Sequence, residues 1–217
     1  RRPEGVPKDA PLLMVDDVME ALRELAAAAR ERSAARIIAI TGSVGKTSTK
    51  EALAHLLGAQ APTHASRASF NNHWGVPLSL AALPVDAAYG IFEIGMNHAG
   101  EISALSKLVR PHAALVTTVE EVHLEFFDSI AAIANAKAEI FGGCQAGGQA
   151  IINNDDSFAD FFAAEAEKAG LTVIRVGSQA PADLYAENIQ LHQERVEFVL
   201  QPLGETVILP LPGAHQV

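Results

Sequence analysis

The sequence predicts an α/β fold, a mostly parallel sheet with helices on both faces and antiparallel strands near the C-terminus. Three observations carry that prediction. From residue 36 onward, short β-branched runs alternate with helix-period stretches, the order that gives right-handed crossovers between parallel strands. The strand runs, RIIAI, YGIFEI and AALVTTV among them, are apolar almost throughout, as strands covered on both faces are. After Ser178 the pattern changes to period-two alternation with turn signals at Gln193-Glu194 and Leu203-Gly204, an antiparallel meander at the sheet edge.

Taken in order, residues 1–12 hold three prolines and mixed charge and read as a linker or the tail of a preceding unit. From Val15 to Arg32, apolar residues recur at Val15, Val18, Met19, Leu22, Leu25 and Ala29, with acids early and arginines late to suit the helix dipole. An amphipathic helix follows from that spacing. The alternation then predicts strands at 36–40, 89–94, 113–119, 149–153 and 172–176, and helices at 46–57, 99–109, 129–141 and 157–169. In sheets of this kind ligands collect at the carboxyl ends of the strands.

Composition narrows the function classes. With 217 residues, 49% of them hydrophobic and 19% charged, the chain can bury a large core. A net charge of −10 and the lack of any clustered basic segment argue against a nucleic-acid partner. The one cysteine, Cys144, excludes an internal disulfide and a thiolate metal cage and fits a reducing, cytoplasmic compartment. No apolar run reaches membrane-spanning length and no signal peptide is visible, so no membrane partner is expected either.

The stretch IAITGSVGKTSTKE carries the strongest chemistry. Gly42, Ser43, Val44, Gly45, Lys46, Thr47 and Ser48 follow a strand and open a helix, the context in which a glycine loop cradles phosphate. Gly42 and Gly45 allow backbone angles that turn successive N–H groups into one concavity. Lys46 would reach β- and γ-phosphate oxygens and the Thr47 hydroxyl would ligate Mg²⁺. The pattern is the short form G-x-x-G-K-T, since Ile40 stands where the longer phosphate-loop pattern has its first glycine. A triphosphate held by backbone dipoles and one lysine needs no basic surface, which reconciles the loop with an acidic chain.

Other candidates sit at the ends of neighbouring strands. Glu93 ends the apolar run IFEIGMN, where a carboxylate requires a cation or hydrogen-bond donors, and Mg²⁺ is the simplest partner. His123 lies past the 113–119 strand, from where it could approach the same metal, although a lone loop histidine suits a surface role equally well. Glu120, Glu121 and Glu125 read as solvated, and the remaining histidines share no zinc-ligand spacing. Lys137 has Ile133 and Phe141 one turn to either side; a lysine so placed either snorkels to water or, with a lowered pKa, takes up CO₂ as a carbamate. Asn71 and Asn72, in SFNNHWGVP, offer amides to a polar ligand, with Trp74 as an apolar wall.

Together and in order, TGSVGKTSTKE, SFNNHWGVPLSL, FEIGMNHAGEI, VTTVEEVHLEFF, ANAKAEIF and LPGAHQV resemble the ATP-binding central domain of the Mur ligases over about residues 36–217. The likeness is strongest to the branch that joins D-Ala-D-Ala to UDP-N-acetylmuramoyl-tripeptide. It implies an ATP- and Mg²⁺-dependent amide ligase of peptidoglycan synthesis, in which the tripeptide carboxylate becomes an acyl phosphate that the D-Ala-D-Ala amine captures. It also implies Lys46 and Thr47 at the phosphate and Mg²⁺ positions, Glu93 and His123 as metal ligands, and Asn71 and Asn72 near nucleotide and substrate. Lys137 matches a lysine that is carbamylated in many members, a further metal ligand. Ser69, Thr118 and Gln216 stand where asparagine is common in the family.

The same likeness implies that residues 1–32 are the tail of a UDP-sugar domain with a linker helix, and that 33–217 are a central domain lacking its last helix and the C-terminal Rossmann-like domain. Such a fragment, expected to be monomeric, would bind nucleotide without turnover. A sibling Mur ligase or a folylpolyglutamate synthase would share these motifs. A phosphate-loop switch would need an aspartate where Glu93 stands, and a pure binding module would show no Mg²⁺ effect.

Overall fold

The computed structural model describes residues 4–7, 9–121 and 126–210. Helix α1 (Val18–Arg32) begins later than its apolar period because Asp17 caps it, the side chain accepting hydrogen bonds from Met19 N and Glu20 N. Near its other end the buried Arg30 donates to the carbonyls of Val109 (2.8 Å) and Arg110 (2.9 Å). Those two acceptors lie at the C-terminus of α4 (Glu101–Val109), so the first helix is bolted onto the body of the fold.

Among the described residues nine strands form one sheet in the order β2-β3-β1-β4-β5-β6-β7-β8-β9. Their spans are β1 (Arg36–Thr41), β2 (Thr63–Ala65), β3 (Tyr89–Glu93), β4 (Ala113–Val116), β5 (Gln149–Asn153), β6 (Thr172–Gly177), β7 (Leu184–Leu191), β8 (Val196–Gln201) and β9 (Glu205–Leu209). Pairs from β2 to β7 are parallel and β7-β8-β9 are antiparallel, the mixture predicted from the sequence. The parallel β6–β7 step needs no crossover helix, because β7 starts level with the end of β6 (Val176 opposite Leu184) and continues in the same direction.

Between the strands lie α2 (Lys46–Gly58), α3 (Gly75–Ala81), α4, α5 (Ile130–Ala138), which runs on as a 3-10 turn over Glu139–Gly143, and α6 (Ala159–Lys168). Strand side chains such as Ile37, Ile40, Ile91, Phe92, Ala114 and Ile152 are essentially sealed from water between these helix layers. No helix among the described residues is long and apolar enough to cross a membrane.

Two strand assignments need correction. β2, absent from the sequence reading, is three residues long, too short to show a period. β4 stops at Val116, not at 119: Thr117 N makes a last bond to Thr41 O on β1, but the Thr117 hydroxyl donates to Val44 O, Ser43 N donates to Thr118 O, and Val119 N donates to Asp156. An apolar, β-branched run thus closes over the phosphate loop instead of extending the sheet.

Candidate functional site

The chain passes to one side of β1 with β2 and β3, then to the other with β4 to β6, so the crevice of the sheet falls at the carboxyl ends of β1, β3 and β4. Register sets the heights: Ile40 is level with Glu93, and Thr41 with Val116. The loop after β1, the Glu93 carboxylate and the bend after β4 therefore meet at one level.

Gly42 has φ +146°, and a Cβ there would lie 1.8 Å from Thr117 Oγ1, so only glycine lets the loop pass under the bend. Gly45, with φ +84°, precedes α2 and offers no side-chain cap, which leaves the first N–H groups of that helix available to an anion. The Lys46 ammonium lies back across the loop, donating to Gly42 O (2.6 Å) and Ser43 O (3.2 Å). Burial lowers its pKa, while the nearby Glu93 charge works the other way. Val44 is exposed at the loop's crest and Ser48 on the helix beyond it.

Glu93 is 1% exposed and is satisfied by two donors, Thr47 Oγ1 to Oε2 (2.8 Å) and Asn71 Nδ2 to Oε1 (2.7 Å). A carboxylate and a hydroxyl oxygen side by side under a phosphate loop are the hard donors that Mg²⁺ takes, with water and phosphate oxygens completing its shell. Among the described residues no cluster of three or more His, Cys, Asp or Glu could hold a metal by itself, and Mg²⁺ bound beside phosphates needs none. Thr47 and Glu93 thus fit that ion. His123, the third ligand expected, lies outside the described residues, as does the LPGAHQV segment.

Lys137 on α5 is 2% exposed, which overturns the snorkelling alternative. Burial, then the Lys46 charge, bring its pKa down to about 7 against the opposing pull of Asp156. Its side chain makes no hydrogen bond to a described residue and lines a cavity of about 440 Å³ shared with Gly42, Lys46, Asn71, His73 and His98. Phosphate loop, lysine pair and asparagines therefore face one space.

The asparagines divide their work. Asn71 holds Glu93, whereas the Asn72 side-chain oxygen accepts from Trp74 N (3.1 Å) and Gly75 N (2.9 Å) and starts α3, although the residue still borders the cavity. Trp74 is 47% exposed and outside the cavity lining, so it is not the expected apolar wall. Met96, Asn97 and His98 also line the cavity, held where Glu101 accepts from Asn97 N (2.7 Å) and His98 N (3.2 Å). Glu101 is itself on α4, whose start is clasped by Glu139 accepting from Gly100 N (2.7 Å) and Ser103 N (3.0 Å).

Three contributors escaped the sequence reading. Thr117 and Asp156 act through contacts between distant segments, for which sequence carries no local sign. Lys50, fully buried in α2, sits in the quoted motif, but a lysine on a short helix reads as solvated.

Residues 40–217 match the Mur ligase middle domain. The chain is 41% identical over 212 residues to the UDP-N-acetylmuramoyl-tripeptide–D-alanyl-D-alanine ligase of Escherichia coli (strain K12), covering 96% of this chain and 46% of that protein. Against the enzyme of the same name from Bacillus subtilis (strain 168) the identity is 32%, over 97% of this chain and 45% of the other. A crystal structure of MurF from Acinetobacter baumannii superposes with a TM-score of 0.87 at 36% identity, covering 97% of this chain and 47% of that one. MurF from Thermotoga maritima, solved in complex with ADP, shares the fold with a TM-score of 0.79 at 22% identity, over 96% and 48% of the two chains. This chain spans about half the length of the curated relatives it matches. On the match over residues 40–217, the chain belongs to the Mur ligase middle domain family.

Proposed function

We propose that this chain is the ATP-binding part of a cytoplasmic amide ligase of peptidoglycan precursor synthesis. The ligase adds D-Ala-D-Ala to UDP-N-acetylmuramoyl-tripeptide by way of an acyl phosphate. In this reading residues 1–32 are the end of a UDP-sugar domain with its linker helix, and residues 33–217 are the ATP domain. The reading draws on the named relatives and, within this molecule, on one observation: a buried carboxylate, Glu93, held by the Thr47 hydroxyl at the foot of a phosphate loop.

Each described residue of the site has a task that its position supports. Lys46 exchanges its loop carbonyl partners for β- and γ-phosphate oxygens, trading neutral acceptors for charged ones, which form stronger hydrogen bonds. The N–H groups at the uncapped start of α2 take up the remaining phosphate charge through the helix end. Thr47 and Glu93, with His123 and a carbamylated Lys137, would hold Mg²⁺; Asn71 orients the carboxylate. When bound, Mg²⁺ neutralises charge on the phosphates as the carboxylate of the peptide approaches.

Calorimetric titration of the chain with ATP, with and without Mg²⁺, tests the reading. Lys46→Ala should abolish detectable binding, and Glu93→Ala should leave binding that no longer responds to Mg²⁺. Titrations unchanged by either substitution would overturn it.

A further inference from the structure

Lys50 is the one residue of α2 that is fully buried, one turn on from Lys46. Its ammonium donates to Ser66 O at 2.9 Å and Ala68 O at 2.5 Å, and forms an ion pair with Glu51 Oε1 at 3.0 Å. An apolar side chain would fill that volume without desolvating a charge. What the ammonium adds is direction, because two of its acceptors are main-chain carbonyls of the segment leading to Asn71.

That segment has little slack. Ala68 sits at φ +44°, a left-handed conformation that a non-glycine residue keeps only when its surroundings hold it there. Ser66 N donates to Ile91 O (3.0 Å) and Gly95 N to Asn71 O (2.8 Å). A Cβ on Gly95 would lie 2.9 Å from the Asn71 side chain, so that amide is packed directly on the chain leaving β3. Asn71 in turn holds one oxygen of Glu93, and Thr47, back on α2, holds the other. Lys50, residues 66–68, Asn71, Glu93 and Thr47 make a closed ring that begins and ends on the phosphate helix.

We propose that Lys50 is a positioning residue for the cation site: by pinning residues 66–68 to α2 it sets Asn71, and through Asn71 the orientation of the Glu93 carboxylate. The inference rests on the reading above that Glu93 and Thr47 hold a divalent cation. Lys50 itself touches neither ion nor nucleotide. Without it the segment can drift, Asn71 releases Oε1, and the carboxylate gains the freedom to rotate away from the geometry the cation requires.

The test is ADP binding by calorimetry across a Mg²⁺ titration, with parallel titrations in EDTA. Lys50→Met should raise the Mg²⁺ concentration for half-maximal binding by about 10-fold or more, the usual cost of losing an outer-shell partner. Its ADP affinity in EDTA should stay within about 2-fold of wild type, since the phosphate loop is untouched. Asn71→Ala should reproduce the Mg²⁺ defect, and the double variant should be no worse than the stronger single one.

A merely structural Lys50 would weaken binding equally with and without Mg²⁺, or add its effect to that of Asn71→Ala, and either result overturns the proposal. If Lys50→Met does not fold, Lys50→Gln, which keeps two N–H donors, carries the same test with an intermediate shift, and an unshifted Mg²⁺ requirement overturns it. A wild-type chain with no Mg²⁺-dependent binding would sink both this inference and the function proposed above. A dependent wild type with unshifted variants would sink the inference alone.

Discussion

At Lys137 a single ammonium concentrates the electrostatic cost of the site. Its pKa of about 7, against an ordinary 10.5, comes first from burial and then from the Lys46 charge. Below about pH 7 folded and unfolded chains both carry the proton, and the full cost of burying the charge is present. Between about 7 and 10.5 the folded chain has released a proton that the unfolded chain still binds, so stability rises with pH across that window. Lys137→Met should therefore be more stable than wild type at about pH 6, with the gap closing by about pH 10, read as Tm across a pH series. The neutral amine is also the form that takes up CO₂. With ¹³C-bicarbonate the wild-type chain should give a carbamate resonance that grows as pH passes about 7 and is missing in Lys137→Met. Sequence showed the apolar neighbours of this lysine but left its ammonium free to reach water; its burial in the cavity wall is a tertiary fact.

At the scale of elements, the phosphate loop depends on what covers it as much as on its own glycines. The bend after β4 passes so close to Gly42 that a methyl group has no room, and Thr117 and Thr118 each bond to the loop. Gly42→Ala should lower stability by at least about 2 kcal/mol in urea denaturation, from backbone strain and overpacking together. It should also lose nucleotide binding, because relief of the clash moves the N–H groups. A variant with the wild-type denaturation midpoint would refute this account of the loop.

The loop itself was legible, since strand, glycine pattern and helix agree over a few contiguous residues. The bend was not, because TTV has the composition of a strand and leaves the sheet only for partners, Val44 and Asp156, that are remote in sequence. Asn71 and Glu93 were each legible as candidates, but not the hydrogen bond between them, which joins the ends of separate segments.

For the whole molecule, a net charge of −10 is compatible with the proposed polyphosphate site because positive potential is supplied locally by helix-end amides and by Lys46. Binding to the folded chain alone must stabilise it: ADP with Mg²⁺ at about a hundredfold excess over Kd adds about 2.7 kcal/mol, a rise of roughly 5–10 °C in Tm for a chain of this size. Differential scanning fluorimetry measures it, and Lys46→Ala should show no rise.

The sequence by itself determined the α/β class, the strand-loop-helix with its glycine pattern, and the residue types at the sheet's carboxyl edge, because periodicity and glycine placement act within a few neighbouring residues. Tertiary structure alone decided that β1, β3 and β4 align so that Glu93 meets Thr47, that Lys137 loses its water, and that Lys50 holds the Asn71 segment. Desolvation and hydrogen-bond pairing depend on which distant segments pack together, and no local pattern encodes that.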